Sequence, residues 1–125
     1  MLRDTRSLAA SRSIGQRLSR VRGRLGYGGA MLIAVLLFAE STVVKLGARR
    51  ISPEEVRQVN DGDRIVIRNP RPRVDGSVLM IGPTHGGRLL TVVLNPEPLD
   101  PGAWHVPTAW DASPAQITRY RRDRQ

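Results

Sequence analysis

Two Ser-Pro-x-Glu/Gln tetrapeptides, Ser52-Pro53-Glu54-Glu55 and Ser113-Pro114-Ala115-Gln116, constrain this chain more than any other feature. In each, the serine hydroxyl is set to accept from the backbone N–H three residues on. Proline fills the first helical position, where an N–H has no helical partner, and the Glu or Gln reaches back to the serine backbone. Two helix starts are thereby fixed, the first with Ile51 as the apolar residue packed before its cap. Between them lie four short runs: Arg64–Arg68, Ser77–Ile81, Arg88–Leu94 and Trp104–Trp110. Asn60-Asp61-Gly62, the Asn69–Arg73 segment with its two prolines, Asp75-Gly76, and Pro96, Pro98 and Pro101 separate them. Runs of this length between Gly, Pro and Asn clusters read as strands, and Thr84-His85-Gly86-Gly87 reads as a hairpin turn. Pro107 marks the last run as an edge or bulged strand.

Upstream, the apolar run Met31–Ala39 falls well short of the roughly twenty residues of a membrane span and reads as a buried first strand. Glu40–Arg50 reads as a helix with Thr42 to Leu46 on its apolar side, and the helix opened at Ser52 runs to about Val59. The helix opened at Ser113 runs through Tyr120 with Arg119, Arg121 and Arg122 outward. The expectation is one α+β domain over residues 31–122, a small antiparallel sheet with two N-terminal helices and one C-terminal helix, followed by a tail at 123–125. The helices are expected to bury one face of the sheet and leave the other to a partner.

Charge is unevenly spread. The net charge is +9, and the segment before Met31 holds seven arginines and one aspartate, a +6 share. That segment reads as a disordered basic arm, as the charged start of a signal peptide, or as an upstream extension. Gly28-Gly29-Ala30-Met31 can be encoded by GGAGGNGCNATG, a ribosome-binding sequence ahead of a start codon, so translation is expected to begin at Met31. The basic balance suits an acidic partner such as RNA, DNA or an acidic protein. Cysteine is absent, which excludes disulfides, thiolate metal sites and thiol nucleophiles.

No phosphate-cradling glycine loop, zinc spacing or nucleophile elbow stands in the chain, so neither metal nor cofactor is expected. The two histidines are His85, in the hairpin turn, and His105, beside Trp104. His85 is either a solvated turn residue or a proton shuttle; His105 reads as a surface residue. Arg49 and Arg50 end a helix, where positive charge complements the dipole. Arg88 opens a strand, as a strand-end charge or as a guanidinium that grips phosphate at two points. Lys45 reads as a solvated helix residue.

Lys45-Leu-Gly-Ala-Arg-Arg-Ile-Ser-Pro-Glu-Glu-Val56 resembles the early helix pair of the BrnT-type toxins. Leu79-Met-Ile-Gly-Pro-Thr84 followed by Gly87-Arg-Leu-Leu-Thr-Val-Val93 resembles that family's hairpin, and Thr108–Ser113 with Gln116 and Tyr120 resembles its closing segment. The resemblance spans about Phe38 to Tyr120. It implies a RelE-like fold and a cytoplasmic toxin of a type II toxin–antitoxin pair, a metal-independent endoribonuclease held by a DNA-binding antitoxin from the adjacent gene. On that reading Arg49, Arg88 and His85 carry the reaction, while Lys45, Arg50, Arg119 and Tyr120 contact RNA.

The chain departs from the pattern at four places. Ala48-Arg49 stands where the family has Lys-His, Ser77 and Trp110 stand where it has arginines, and Gln116 stands where it has glutamate. Arginine stabilises charge but is a poor general base, because its pKa lies above about 12. These departures favour a second expectation, a non-catalytic RNA- or protein-binding module that keeps the toxin fold. A third is a small secreted or membrane-anchored protein that uses Arg3 to Ala39 as signal or anchor.

Overall fold

The computed structural model describes the backbone of residues 8–12, 18–22 and 30–124, with side chains from Leu32 onward. The expectation of a disordered or untranslated segment 1–30 falls largely outside the described residues.

Elements follow in the order β1 (Leu8–Arg12), β2 (Leu18–Arg22), β3 (Ala30–Leu32), β4 (Val35–Ala39), α1 (Glu40–Ala48), α2 (Pro53–Asp61), β5 (Ile65–Arg68), β6 (Val78–Pro83), β7 (Leu89–Pro96), β8 (Ala103–His105), β9 (Ala109–Asp111) and α3 (Pro114–Asp123). Both capping boxes form. Ser52 Oγ accepts from Glu55 N at 3.1 Å while Ser52 N donates to Glu55 Oε1 at 3.1 Å. At the second box the matching distances are 3.2 and 2.9 Å. The apolar run Met31–Ala39 does not form one strand. It breaks at Ile33-Ala34, where Ala34 N and Val35 N both donate to Gly102 O.

Strand order is β1-β4-β8-β7-β6-β5-β2-β3, with β9 also paired to β7. β7 is the spine. Its Leu89–Leu94 stretch pairs antiparallel with β6, and on its other edge Leu90–Val92 meets β9 while Asn95-Pro96 meets β8. Strands β8 and β9 are one edge interrupted at Pro107, the residue that cannot donate to a ladder. Across that interruption Val106 N turns to Leu37 O and Thr108 O accepts from Val93 N.

The sheet is mixed, which corrects the expectation of a purely antiparallel one. β4 pairs parallel with β8, and β2 parallel with β5. Parallel neighbours need a crossover connection, and between β4 and β8 the chain makes it through both helices and the β5–β7 meander. The expectation of one free sheet face is corrected as well. Alternation along the central strands sends Val66, Val78, Met80, Leu90, Val92 and Leu94 to a core closed by Leu46, Ile51, Val56 and Val59 of the α1–α2 segment. The alternate residues Ile65, Ile67, Leu79, Ile81 and Val93 form a second core that Tyr120 of α3 closes. The arginines of α3 suggest a solvated helix, yet its buried side is the Tyr120 ring, whose hydroxyl donates to Asp63 O at 2.6 Å.

Helix α1 ends in a left-handed turn that bears on everything nearby. Arg50 N donates to Gly47 O and Ile51 N to Leu46 O, each at 2.9 Å, which is the Schellman pattern. Arg50 occupies its left-handed position, with φ of 59° where glycine is usual. Leu46 and Ile51 meet in the core beneath the turn. Among the described residues no helix is long and apolar enough to cross a membrane.

Candidate nucleic-acid interface

A groove of roughly 800 Å³ opens where α1, the β5–β6 loop, the exposed end of the second sheet face and the start of α3 converge. Leu79 and Val93 lie at its base with Ser77 and Asn95. Thr108, Trp110 and Gln116 line one side, and Lys45, Arg49, Arg71 and Arg73 supply its charge. Among the described residues no carboxylate lines it.

Each cation is positioned for a local reason. Lys45 lies in the last turn of α1, on its exposed side. Arg49 follows at the C-cap, and its Nη1 donates to Thr108 Oγ1 at 2.7 Å and to Ala109 O at 2.9 Å. Those two bonds run through a single nitrogen, and Nη2 has no partner among the described residues. Arg71 and Arg73 sit on the loop between β5 and β6. Pro70 and Pro72 restrict its φ angles, and Asn69 fastens its base. Asn69 Nδ2 donates to Ser77 Oγ at 3.0 Å, and Asn69 Oδ1 accepts from Arg71 N at 3.0 Å. Lys45, Arg49, Arg71 and Arg73 form no ion pair among the described residues.

Gln116 organises the part of the lining that carries Trp110. Its Oε1 accepts from Thr91 Oγ1 at 2.8 Å, Ser113 N at 2.9 Å and Trp110 Nε1 at 3.1 Å. The capping residue of α3 is thus also the clamp that holds the indole.

The residues expected to act divide between two places. Lys45 and Arg49 enter the groove. Arg88 does not line it. Arg88 Nε donates to Asp111 Oδ1 at 2.6 Å, Nη2 to Arg49 O at 2.9 Å, and Nη1 to Arg50 O at 2.5 Å with Glu55 3.6 Å away. The hydrogen bond to Asp111 raises the Arg88 pKa further, and the same bond holds the Asp111 carboxyl below its ordinary range. Arg88 therefore caps the two carbonyls that the left-handed turn exposes and ties that turn to β9. His85 is exposed in the hairpin turn, where its N–H donates to Gln58 Oε1, and it does not line the groove. Arg50, in the left-handed position of the turn, is exposed. Arg119 pairs with Asp123 at 2.7 Å. Tyr120 is buried, and desolvation pushes its phenol pKa up.

Sequence reasoning missed Arg71 and Arg73. The signal present was two arginines interleaved with two prolines, cations on a stiffened loop. Three of the positions at which the chain departs from the BrnT pattern, Ser77, Trp110 and Gln116, line this groove together with Arg49. Among the described residues no three His, Cys, Asp or Glu side chains are grouped to hold a metal ion. Comparison with protein-family models, with curated proteins and with solved structures found no match.

Proposed function

We propose that this domain is an RNA-binding module whose ligand lies in the basic groove. One observation carries the reading: four cations from two separate segments face one cleft that, among the described residues, holds no carboxylate. Like charges gathered without counter-charge repel one another, and a polyanion relieves that repulsion while releasing its own counterions. RNA cleavage through the 2′-hydroxyl needs a proton acceptor and a proton donor beside the charge stabiliser. Among the described residues the groove lining contains no histidine, carboxylate or tyrosine, which favours binding without cleavage.

The toxin reading keeps one specific support. Arg49, Ser77, Trp110 and Gln116, which the BrnT resemblance singles out in separate segments, line a single groove. On that reading the fold is RelE-like, the domain acts in the cytoplasm, and a DNA-binding antitoxin from the adjacent gene is its partner.

The test uses the full chain with a fluorescein-labelled RNA, followed by anisotropy and by gel analysis of the RNA. Binding that weakens in Arg71→Glu and in Arg73→Glu, with the RNA intact, supports the module. Induction of the wild-type chain alone that arrests growth and cuts RNA, relieved in Arg49→Ala, supports the toxin. A folded protein that neither binds nor cuts RNA overturns both.

A further inference from the structure

The aromatic residues of this chain are few, and their distribution is uneven. Phe38, Trp104 and Tyr120 are buried in the two cores. Among the described residues Trp110 is the one Phe, Tyr or Trp side chain that is not buried, and it lies in the cationic groove, which neither histidine lines. Its ring packs partly against the second core, beside Leu89 and Ala112. Its N–H is held by Gln116 Oε1, and that oxygen is itself fixed by Thr91 and by the N-cap of α3. The indole is thus tied at its polar edge and supported from beneath, so a ligand that stacks on it pays little in lost side-chain freedom. Arg49 contributes on the same wall, where Nη1 bonds Thr108 and Ala109, the residues just before Trp110. Arg71 and Arg73, on the β5–β6 loop, line the same groove.

A fixed aromatic face among unpaired cations matches the chemistry of one ligand class: a planar base joined to phosphates. In a duplex the bases are stacked on one another and offer no face. In a single strand they are free to leave the stack.

We infer that the groove takes a single-stranded nucleic-acid segment, with one base stacked on Trp110 and the adjoining phosphates against Arg49, Arg71 and Arg73. This rests on the RNA-binding reading and adds to it the strandedness of the ligand and the residue that selects it. Trp110 acts here by direct contact, independently of any cleavage.

The experiment uses the full chain and three probes: a fluorescein-labelled 12-nucleotide oligouridylate, an RNA duplex of equal length, and uridine monophosphate as competitor. The single strand is expected to bind more tightly than the duplex and to quench the tryptophan emission of the wild-type protein. Trp110→Leu, which keeps apolar packing but lacks a π face, should weaken single-strand binding by about 5- to 150-fold, the equivalent of the ~1–3 kcal/mol of base–aromatic stacking. Trp110→Phe, which loses the bond to Gln116 but keeps a ring, should retain most of the affinity. Circular dichroism and thermal melting establish that each variant is folded. The quench needs no variant, so it tests the inference even if a substitution fails to fold. Duplex binding as tight as the single strand, full affinity in folded Trp110→Leu, or absence of quenching overturns the stacking site while leaving an RNA-binding groove. Displacement of the oligomer by the mononucleotide at comparable concentration overturns the strand in favour of a free nucleotide. No binding of any probe overturns the RNA-binding reading itself.

Discussion

Arg50 and Arg88 are best understood together, because one creates the need that the other meets. A non-glycine residue in the left-handed region costs roughly 1–2 kcal/mol. Arg50 bears that cost because the Schellman turn after α1 must bring Ile51 back over Leu46. The turn leaves the carbonyls of Arg49 and Arg50 outside the helix, and Arg88 caps both. Arg50→Gly relieves the strain without removing a carbonyl. It is expected to stabilise the domain by about 0.5–1 kcal/mol after the greater unfolded-state freedom of glycine is counted. A urea titration measures this, and a loss of stability would mean that the Arg50 side chain makes a contact of its own. Arg88 also sets a pH dependence through Asp111. The Asp111 carboxyl is held below its ordinary value by the Arg88 hydrogen bond. A group with a lowered folded pKa contributes stability above its unfolded value, about 3.9, and loses it as the pH falls through the lower folded one. The urea midpoint of wild type minus that of Asp111→Asn should therefore be constant from about pH 5 to 8 and shrink below about pH 4. A difference unchanged at pH 2 would contradict the pairing.

At the scale of elements, what could be read from the sequence was what is local. Both capping boxes are complete within four residues, so α2 and α3 begin where Ser52 and Ser113 say they begin. The hairpin turn at Thr84–Gly87 likewise needs only its own residues: Thr84 N bonds Arg88 O, and Gly87 takes a φ of +88°. Partners across the sheet were not legible. Nothing in the run Val35–Ala39 says that its neighbour is β8 in parallel, because side-chain alternation reports which faces are buried and not which edge is met. The burial of the second sheet face depends on Tyr120, one ring on a helix otherwise rich in arginine. The groove was half legible for the same reason. Lys45 and Arg49 belong to a recognisable helix end, whereas Arg71 and Arg73 gain their place only from the Asn69–Ser77 closure of a loop. One close approach between elements is directly testable. In β6, a Cβ on Gly82 would lie 3.0 Å from Arg64 Cβ, 3.1 Å from Arg64 Cα and 3.3 Å from Val59 Cγ1 of α2. Gly82→Ala must push both Arg64 and α2 away from β6, and overpacking of this kind costs about 1–3 kcal/mol. Denaturant unfolding of that variant checks it; stability equal to wild type would show that α2 shifts freely on the sheet.

At the scale of the whole molecule, several arginines outside the groove are ion-paired among the described residues. Arg57 sits 2.9 Å from Glu54, Arg88 2.6 Å from Asp111 and Arg119 2.7 Å from Asp123, and Arg124 pairs with Asp63. Lys45, Arg49, Arg71 and Arg73 have no carboxylate partner among the described residues. That contrast separates the two roles an arginine can play in binding RNA. A paired arginine gives up a local partner before it meets a phosphate, and it leaves the count of released counterions little changed. An unpaired arginine against a phosphate adds its full share to that count. For single strands, log K falls with log salt at a slope of about −0.7 per phosphate neutralised. In the full chain bound to the oligouridylate, Arg71→Gln and Arg73→Gln should each reduce the steepness of that slope by about 0.7. Arg88→Gln should leave the slope unchanged, although it loosens the turn that carries Arg49 and so weakens binding at every salt concentration. Isothermal or anisotropy titrations between 50 and 300 mM salt, about the range in which such slopes are measured, decide the matter. A slope that falls for Arg88→Gln and stays fixed for Arg71→Gln would put the phosphate path at the hairpin end of the sheet, where Arg88 and His85 lie, and not in the groove.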